Sequence, residues 1–224
     1  MKIFLIHFAG GSYYSYNFLL EHLKTFDVVP LELPGRGKRI SESLIRDFKF
    51  AAKDLYRQML PLIDNSNFIV YGHSMGAYLA LKITHMLTAH GIRPKKLVVS
   101  GNIGPYQKDP GKIPRYRMLG DEFVNSLKQL GGVPEGIWGN PEVFQFFEPI
   151  LRADFEVAER NSPSDFEIIN APITAVMGNE EERVDQIMNW KNYTTEKFKE
   201  YVLPGDHFFI YDNAKRLADI ISDC

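Results

Sequence analysis

The 224-residue chain contains a single cysteine, Cys224, which is its last residue. No disulfide can therefore form within the chain, which fits the reducing cytoplasm, and we expect a cytoplasmic location. No apolar run approaches the roughly 18 residues of a membrane-spanning helix. The apolar stretch near the N-terminus is only about five residues long before a glycine-rich turn, so we expect no signal peptide.

The chain also lacks a strong charge of either sign, since its formal net charge is −2. Positive and negative residues are mixed throughout, so we expect neither nucleic acid nor an anionic membrane as a partner. The sequence has no internal repeat and no low-complexity segment. With 224 residues, 45% of them hydrophobic, it can bury one sizeable core, which predicts a single domain over residues 1–224. A monomer is the default expectation.

Short apolar runs that indicate strands alternate with helical patterns along most of the chain. The expected strands are Lys2–Ile6, Val28–Leu33, Phe68–Tyr71, Lys96–Gly101, Ala171–Gly178 and Tyr201–Leu203. The expected helices lie at Phe18–Leu23, Ile45–Ile63, Ala77–Ile83 and Ala214–Ile221. This alternation predicts an α/β fold, with a mostly parallel sheet and helices on both of its faces.

One region interrupts the alternation, from about Pro105 to Pro163. It contains amphipathic helical patterns, at Glu122–Leu127 and from Pro141 onward, separated by the glycine-containing loop 131–136. An insertion between core strands is typical of a helical lid over a site. We expect most of its aromatic residues to pack between the lid and the sheet and a minority to line a channel to the site; they are Trp138, Phe144, Phe146 and Phe147.

The most informative motif is Gly72-His73-Ser74-Met75-Gly76, a G-x-S-x-G sequence between an expected strand and an expected helix. This context predicts a nucleophile elbow, a tight turn that presents a serine at the end of a sheet. Glycines allow the close backbone approach of such a turn, and the helix N-terminus directs N–H groups to the place where an oxyanion would form. We predict that Ser74 is the nucleophile; the alternative is a structural turn.

The predicted base is His207, the only histidine in the distal third of the chain. It follows the loop Pro204–Asp206 after a late strand, and a triad of this fold has the chain order serine, acid, histidine. We expect the histidines that fit less well to be surface or satisfied core residues; they are His22, His73, His85 and His90.

The third member of a triad would be a carboxylate that orients the histidine. An acidic run follows the strand that ends at Gly178, between Ser74 and His207 in sequence. The carboxyl end of a parallel strand is where such folds place their sites. The residues alone leave four candidates, which are Glu180, Glu181, Glu182 and Asp185.

An early glycine-rich turn, His7–Ser12, follows the first expected strand and can complete the site. We predict an oxyanion hole made of the N–H groups of Met75, directly after the serine, and Ala9, in this turn. The alternatives are a plain connecting turn and a phosphate-binding loop. The turn lacks the Gly-Lys-Ser/Thr ending of a nucleotide site and the G-x-G-x-x-G of a dinucleotide site.

Five segments in this order resemble the type II, or external, thioesterases of nonribosomal peptide and polyketide synthetases. They are Phe8–Ser12, Leu33–Arg39, Gly72–Gly76, Leu151–Phe155 and Pro204–Phe209; Trp190 also lies near a position that the family commonly fills with tryptophan. The resemblance implies an α/β-hydrolase fold and a hydrolase that frees acyl groups from the phosphopantetheine arm of carrier proteins. The implied partner is an acyl-loaded carrier protein.

The resemblance also ranks the acids. The family pattern places the acid three residues after the strand-ending glycine, which is Glu181 here, although the family usually has aspartate. Val184 then falls three residues further on, where the pattern often has valine, and Glu180 is the nearest rival.

No metal or organic cofactor is expected, because the predicted chemistry needs none and no Cys/His cluster suggests a metal site. The alternative functions are a general serine esterase, a cyclising acyltransferase and a non-catalytic α/β-hydrolase binding module.

Overall fold

A six-stranded parallel sheet forms the centre of the protein. The structure, a computed structural model, describes residues 1–64, 67–106, 111–132 and 135–223. The strands are β1 (Lys2–Ile6), β2 (Asp27–Leu31), β3 (Phe68–His73), β4 (Lys96–Ser100), β5 (Ile173–Gly178) and β6 (Phe198–Leu203). The helices are α1 (Asn17–Leu20), α2 (Phe48–Met59), α3 (Met75–Ala89), α4 (Gly120–Leu130), α5 (Glu135–Trp138), α6 (Pro141–Arg160) and α7 (Ala214–Ser222). A 3₁₀ segment covers Val184–Tyr193.

The strands lie in the order β2-β1-β3-β4-β5-β6, and every neighbouring pair is parallel. The prediction of a mostly parallel sheet is confirmed. The chain runs from β1 outward to β2 and then returns to place β3 on the other side of β1. Such a reversal opens a crevice at the carboxyl ends of the two strands that flank it, here β1 and β3. Ser74 and the glycine-rich turn 7–12 follow these two strands.

Alternate residues of the central strands enter two hydrophobic cores, one on each face of the sheet. Phe4 and Ile6 of β1 face the core with α2 and α3, whereas Ile3 and Leu5 face the core with α1 and α7. This period of two is the geometry of a strand buried on both faces, and it explains why the central strands are continuous apolar runs.

The region between β4 and β5 carries α4, α5 and α6, and the described part of 105–163 contains no strand, as predicted. These helices bury a small cluster of their own, formed by Phe123, Leu127, Leu151 and Phe155. Trp138, Phe144 and Phe147 pack against it, while Phe146 is 55% exposed. Residues 133 and 134 of the expected glycine loop, and Cys224, lie outside the described residues.

Every strand except β1 differs from its predicted bounds by one to three residues, and β2 and β6 show why. β2 ends at Leu31 rather than Leu33, because Glu32 turns into the next loop and its carboxylate accepts the N–H groups of Tyr13 and Lys38. β6 begins at Phe198, three residues before the predicted start. The prediction missed its first half because Lys199 and Glu200 are exposed polar residues of an edge strand, which the apolar pattern does not show. Within the described ranges, no helix is both long and apolar enough to cross a bilayer.

Candidate active site

Ser74 lies at the turn between β3 and α3, with backbone angles of φ 54° and ψ −115°. A positive φ is uncommon for a residue with a Cβ atom and marks a strained turn. The turn requires both motif glycines: a Cβ on Gly72 would lie 2.1 Å from the carbonyl oxygen of Gly76, and one on Gly76 would lie 2.2 Å from that of Ile6. The backbone therefore has the geometry of the predicted nucleophile elbow.

The His207 imidazole connects two of the predicted residues. Its Nε2 is 3.0 Å from Ser74 Oγ, and its Nδ1 is 2.7 Å from Glu181 Oε2. Because the carboxylate can only accept a hydrogen bond, the proton of a neutral ring belongs on Nδ1. Nε2 then presents its lone pair to the Ser74 hydroxyl.

Glu181 is the acid that the structure brings to His207, out of the four that the sequence left open. Its second oxygen, Oε1, accepts the Gly178 N–H at 2.9 Å, so the longer glutamate side chain is folded back on the strand end. The side chain is only 6% exposed. The remaining three acids are exposed to solvent; they are Glu180, Glu182 and Asp185.

The loop that carries His207 approaches β5 closely. A Cβ on Gly178 would lie 2.3 Å from the carbonyl oxygen of Gly205, a clash of backbone atoms that only glycine avoids. Gly178 therefore serves two purposes, since it admits the His207 loop and donates its N–H to Glu181.

His73 is a buried residue beneath His207, and their ring centroids are 5.0 Å apart. Its Nδ1 lies 2.8 Å from Ser100 Oγ, which in turn lies 2.8 Å from the hydroxyl of Tyr71. Burial, and secondarily the neighbouring His207, hold the pKa of His73 well below its usual value. A neutral imidazole therefore lies against the His207 ring.

The two predicted oxyanion donors lie on either side of the close contact between β1 and α3. Met75 begins α3, so its N–H has no acceptor within the helix. Gly76 packs directly on the carbonyl oxygens of Ile6 and His7, which brings the start of α3 against the end of β1, and Ala9 follows His7 by two residues. The structure thus places both predicted N–H groups at the same edge of the sheet as Ser74.

Trp190 and Asn102 support the elbow from the β4 side. The indole Nε1–H of the fully buried Trp190 donates to the Asn102 carbonyl oxygen at 2.7 Å. The Asn102 side-chain amide donates to the Ser74 carbonyl oxygen at 3.3 Å, and the Ser74 N–H donates to the Ser100 carbonyl oxygen at 2.8 Å. These bonds fix the peptide groups on both sides of Ser74.

Sequence reasoning missed a buried polar cluster under the glycine-rich turn. Arg36 forms a two-pronged ion pair with Asp154 of α6, in which Nη2 lies 2.7 Å from Oδ1 and Nη1 contacts Oδ2. Asp154 Oδ2 also accepts the Gly10 N–H at 2.8 Å. The sequence marks Arg36 and Asp154 only as members of two separate motifs, and no local pattern pairs residues so far apart.

His7 belongs to the same cluster, and the sequence shows it only as the first residue of the glycine-rich turn, with no role for its side chain. Its side chain is 1% exposed, with Nδ1 2.8 Å from the Phe8 carbonyl oxygen. Its Nε2 accepts the Leu33 N–H at 3.3 Å. Burial, and then the charge of Arg36, lower the pKa of His7 to about 4, so the ring is neutral near pH 7.

This arrangement can perform acyl transfer. A hydroxyl bonded to an imidazole, which is in turn bonded to a carboxylate, is the arrangement that activates a serine as a nucleophile. A helix N-terminus and a second backbone N–H beside it can stabilise a negatively charged tetrahedral oxygen.

A thioesterase family model and two relatives match nearly the whole chain. The family model described as a thioesterase domain matches residues 1–224. The protein is 31% identical over 226 residues to "Linear gramicidin dehydrogenase LgrE" of Brevibacillus parabrevis, covering 98% of this chain and 85% of that protein. It is 30% identical over 224 residues to the medium-chain S-acyl fatty acid synthase thioesterase of Rattus norvegicus, covering 96% and 84%.

A solved structure is similar over the whole chain. The RedJ thioesterase from the prodiginine biosynthetic pathway in Streptomyces coelicolor superposes with a TM-score of 0.89 at 26% identity. The match covers 100% of this chain and 85% of that one.

Proposed function

Because the chain belongs to the thioesterase family, we propose that it is a serine thioesterase that hydrolyses acyl groups from the phosphopantetheine arm of carrier proteins. The α/β-hydrolase fold predicted from the resemblance is confirmed by the parallel sheet and by the solved relative. The observation that carries the proposed chemistry is the hydrogen-bonded series Ser74, His207 and Glu181 at the carboxyl edge of that sheet.

In the first half of the proposed reaction, Ser74 Oγ attacks the thioester carbonyl carbon while its proton moves to His207 Nε2. The N–H groups of Met75 and Ala9 hold the negative oxygen of the tetrahedral intermediate. Its collapse breaks the carbon–sulfur bond, and His207 returns the proton to the leaving thiol. Glu181 stabilises the imidazolium that exists between these two transfers.

In the second half, water attacks the ester carbonyl of the acylated Ser74 and gives a proton to His207. A second tetrahedral intermediate uses the same two N–H groups. Its collapse releases the carboxylic acid, and the proton on His207 returns to Ser74 Oγ. The cycle leaves the protein unchanged and consumes one water.

We further propose that the helical insertion at about 105–163 is a lid on a single 1–224 domain. The described end of its glycine turn lies on the His207 loop, since a Cβ on Gly132 would be 2.1 Å from the ring of Phe208. Phe208 directly follows His207, so the insertion touches the loop that carries the proposed base. This contact supports the proposal that the insertion covers the site and shields the acyl intermediate from bulk water.

The choice of a carrier-bound substrate rests on the resemblance and on the relatives. The solved relative is, by its title, a thioesterase of a biosynthetic pathway, and the rat protein is, by its name, a thioesterase of fatty acid synthase. A substrate held as a thioester on the arm of a carrier protein is consistent with the names of both relatives. One relative is called a dehydrogenase. We do not propose dehydrogenase activity for this chain, because the turn His7–Ser12 lacks the dinucleotide fingerprint.

The substrate class is tested with acyl groups of two to ten carbons loaded on peptidyl and acyl carrier proteins. We expect release of the acid, with mass spectrometry showing the free pantetheine thiol, at a higher kcat/KM than for the matching acyl-coenzyme A. An oxygen ester of the same acid serves as the comparison for a general esterase. Equal kcat/KM on the oxygen ester and the carrier thioester would contradict the proposal.

Replacing Glu181 with glutamine should lower kcat by about 10²–10⁴-fold while leaving the nucleophile in place. The amide can donate toward His207 and stabilise the wrong tautomer, and it cannot neutralise the imidazolium. A loss near the lower end, about 10²-fold in kcat, is expected if Gly178 and the His207 loop keep the His207 imidazole in place.

Matched controls are available beside Glu181 in the same loop. Glu180→Gln, Glu182→Gln and Asp185→Asn remove exposed charges of the same sign and should change kcat by less than about twofold. If Glu181→Gln kept a nearly wild-type kcat while one of the control variants lost most of its kcat, the triad acid would be that other residue.

A further inference from the structure

The peptide group that joins Phe8 to Ala9 is held through its oxygen. The Phe8 carbonyl accepts the Gly11 N–H at 2.9 Å and lies 2.8 Å from His7 Nδ1. Because a carbonyl oxygen can only accept, the proton of this second bond belongs to Nδ1. Two donors therefore fix the direction of one carbonyl group in the glycine-rich turn.

The direction of the Ala9 N–H follows from that of the Phe8 carbonyl. Both groups belong to the same planar peptide unit, and none of the described residues is joined by a cis bond. In a trans peptide the N–H points opposite to the C=O. Because the Phe8 oxygen is held toward His7, the Ala9 N–H points away from His7. A flip of this one peptide would turn the Ala9 N–H toward His7.

His7 is itself held in place. Its Nε2 accepts the Leu33 N–H, so the ring spans from the turn after β1 to the loop after β2. A protonated ring would present a second N–H to that Leu33 donor, and burial disfavours the charged form. The neutral Nδ1–H tautomer satisfies both of its contacts.

The peptide on the other side of Ala9 is also fixed by a buried side chain. The Gly10 N–H donates to Asp154 of α6, whose charge is paired with Arg36. Arg36 Nη1 also donates to the Gly11 carbonyl oxygen at 3.3 Å. With Asp154 holding the peptide after Ala9, the orientation of the peptide before it depends on His7 and the local turn.

We propose that His7 is a positioning residue that directs the Ala9 N–H toward the oxyanion by holding the Phe8 carbonyl group. The inference rests on the proposed function, because it assumes that Ala9 contributes to stabilising a tetrahedral intermediate. His7 does not touch the substrate. It acts through one peptide unit, so its contribution should be to transition-state stabilisation rather than to substrate binding.

The test compares two replacements of nearly the same shape, His7→Asn and His7→Leu. Both lose the contact with Leu33, but only the asparagine amide can donate to the Phe8 oxygen, from nearly the position of Nδ1. We expect His7→Leu to lower kcat by about 10- to 100-fold with KM within about twofold, which is less than the roughly 10²–10³-fold cost of losing an oxyanion donor outright. His7→Asn should recover most of that loss.

Inhibition by an alkyl boronic acid gives a second readout. Its tetrahedral adduct with Ser74 places an oxygen where the intermediate would have one, so the Ki of His7→Leu should rise by about the same factor as kcat/KM falls. Active sites are counted by complete reaction with a fluorophosphonate, so that misfolded protein does not enter the rates. Equal kcat values and equal boronate Ki values for the two variants would overturn the proposal.

A measurement on the unchanged protein remains decisive if His7→Leu does not fold. Imidazole nitrogen NMR should show His7 as the Nδ1–H tautomer from about pH 6 to 9, whereas an Nε2–H tautomer would overturn the proposal. This result does not depend on the substrate. Wild-type protein that hydrolyses no acyl thioester would instead refute the proposed function.

Discussion

The Ser74→Ala variant should hydrolyse acyl thioesters about 10⁵-fold or more slowly than the wild-type protein. The substitution removes the oxygen that attacks the carbonyl, and no acylated protein can then form. Alanine keeps the Cβ atom, so the strained turn is unchanged and the loss reflects the missing hydroxyl. The measurement is kcat on an acyl-loaded carrier protein, together with mass spectrometry of the intact protein for the acyl adduct.

Ser43→Ala is the matched control, because Ser43 is exposed and belongs to the loop before α2. It should retain wild-type kcat within about twofold. Carrier-protein binding by Ser74→Ala should persist, since Ser74 is proposed to act on the thioester rather than to hold the carrier. Hydrolysis by Ser74→Ala at a near-native rate would refute the proposed mechanism.

The His207→Ala variant should lose about 10⁴–10⁶-fold in kcat. Without the imidazole, Ser74 has no base, and the leaving thiol has no acid. The double variant Ser74→Ala/His207→Ala should be no slower than the slower single variant, because the two residues act as a unit. Residual hydrolysis in all three variants would then report the oxyanion donors and substrate positioning alone.

His22→Ala provides the control for His207, since His22 is exposed and lies away from the sheet edge that carries Ser74. Its kcat should stay within about twofold of wild type. A double variant as slow as the two single losses multiplied together would show that Ser74 and His207 act independently and not in one proton-transfer unit.

The central strands could be predicted because each is buried on both faces. The strand Phe68–His73 is buried along its whole length, and its apolar run Phe68–Tyr71 is visible without knowledge of its neighbours. The edge strand β6 shows the opposite case, since only part of Phe198–Leu203 is buried. Its polar first half carries no signal that distinguishes it from a loop.

Sequence reasoning located the candidate residues of the site where local patterns or family spacing could show them. Ser74 lies in a pentapeptide motif, and the spacing from Gly178 selected Glu181, which the structure places beside His207. Their catalytic roles stay predictions until the variants are measured. Asp154 lies 144 residues from its contact Gly10, and only the folded chain shows that pairing.

The φ of 54° at Ser74 also has a consequence for the stability of the protein. A residue with a side chain costs roughly 1–3 kcal/mol in such a conformation, and glycine would relieve most of that cost. The protein would therefore be more stable with glycine in place of its proposed nucleophile. At this position, the residue that would favour stability and the residue that the proposed reaction needs are different.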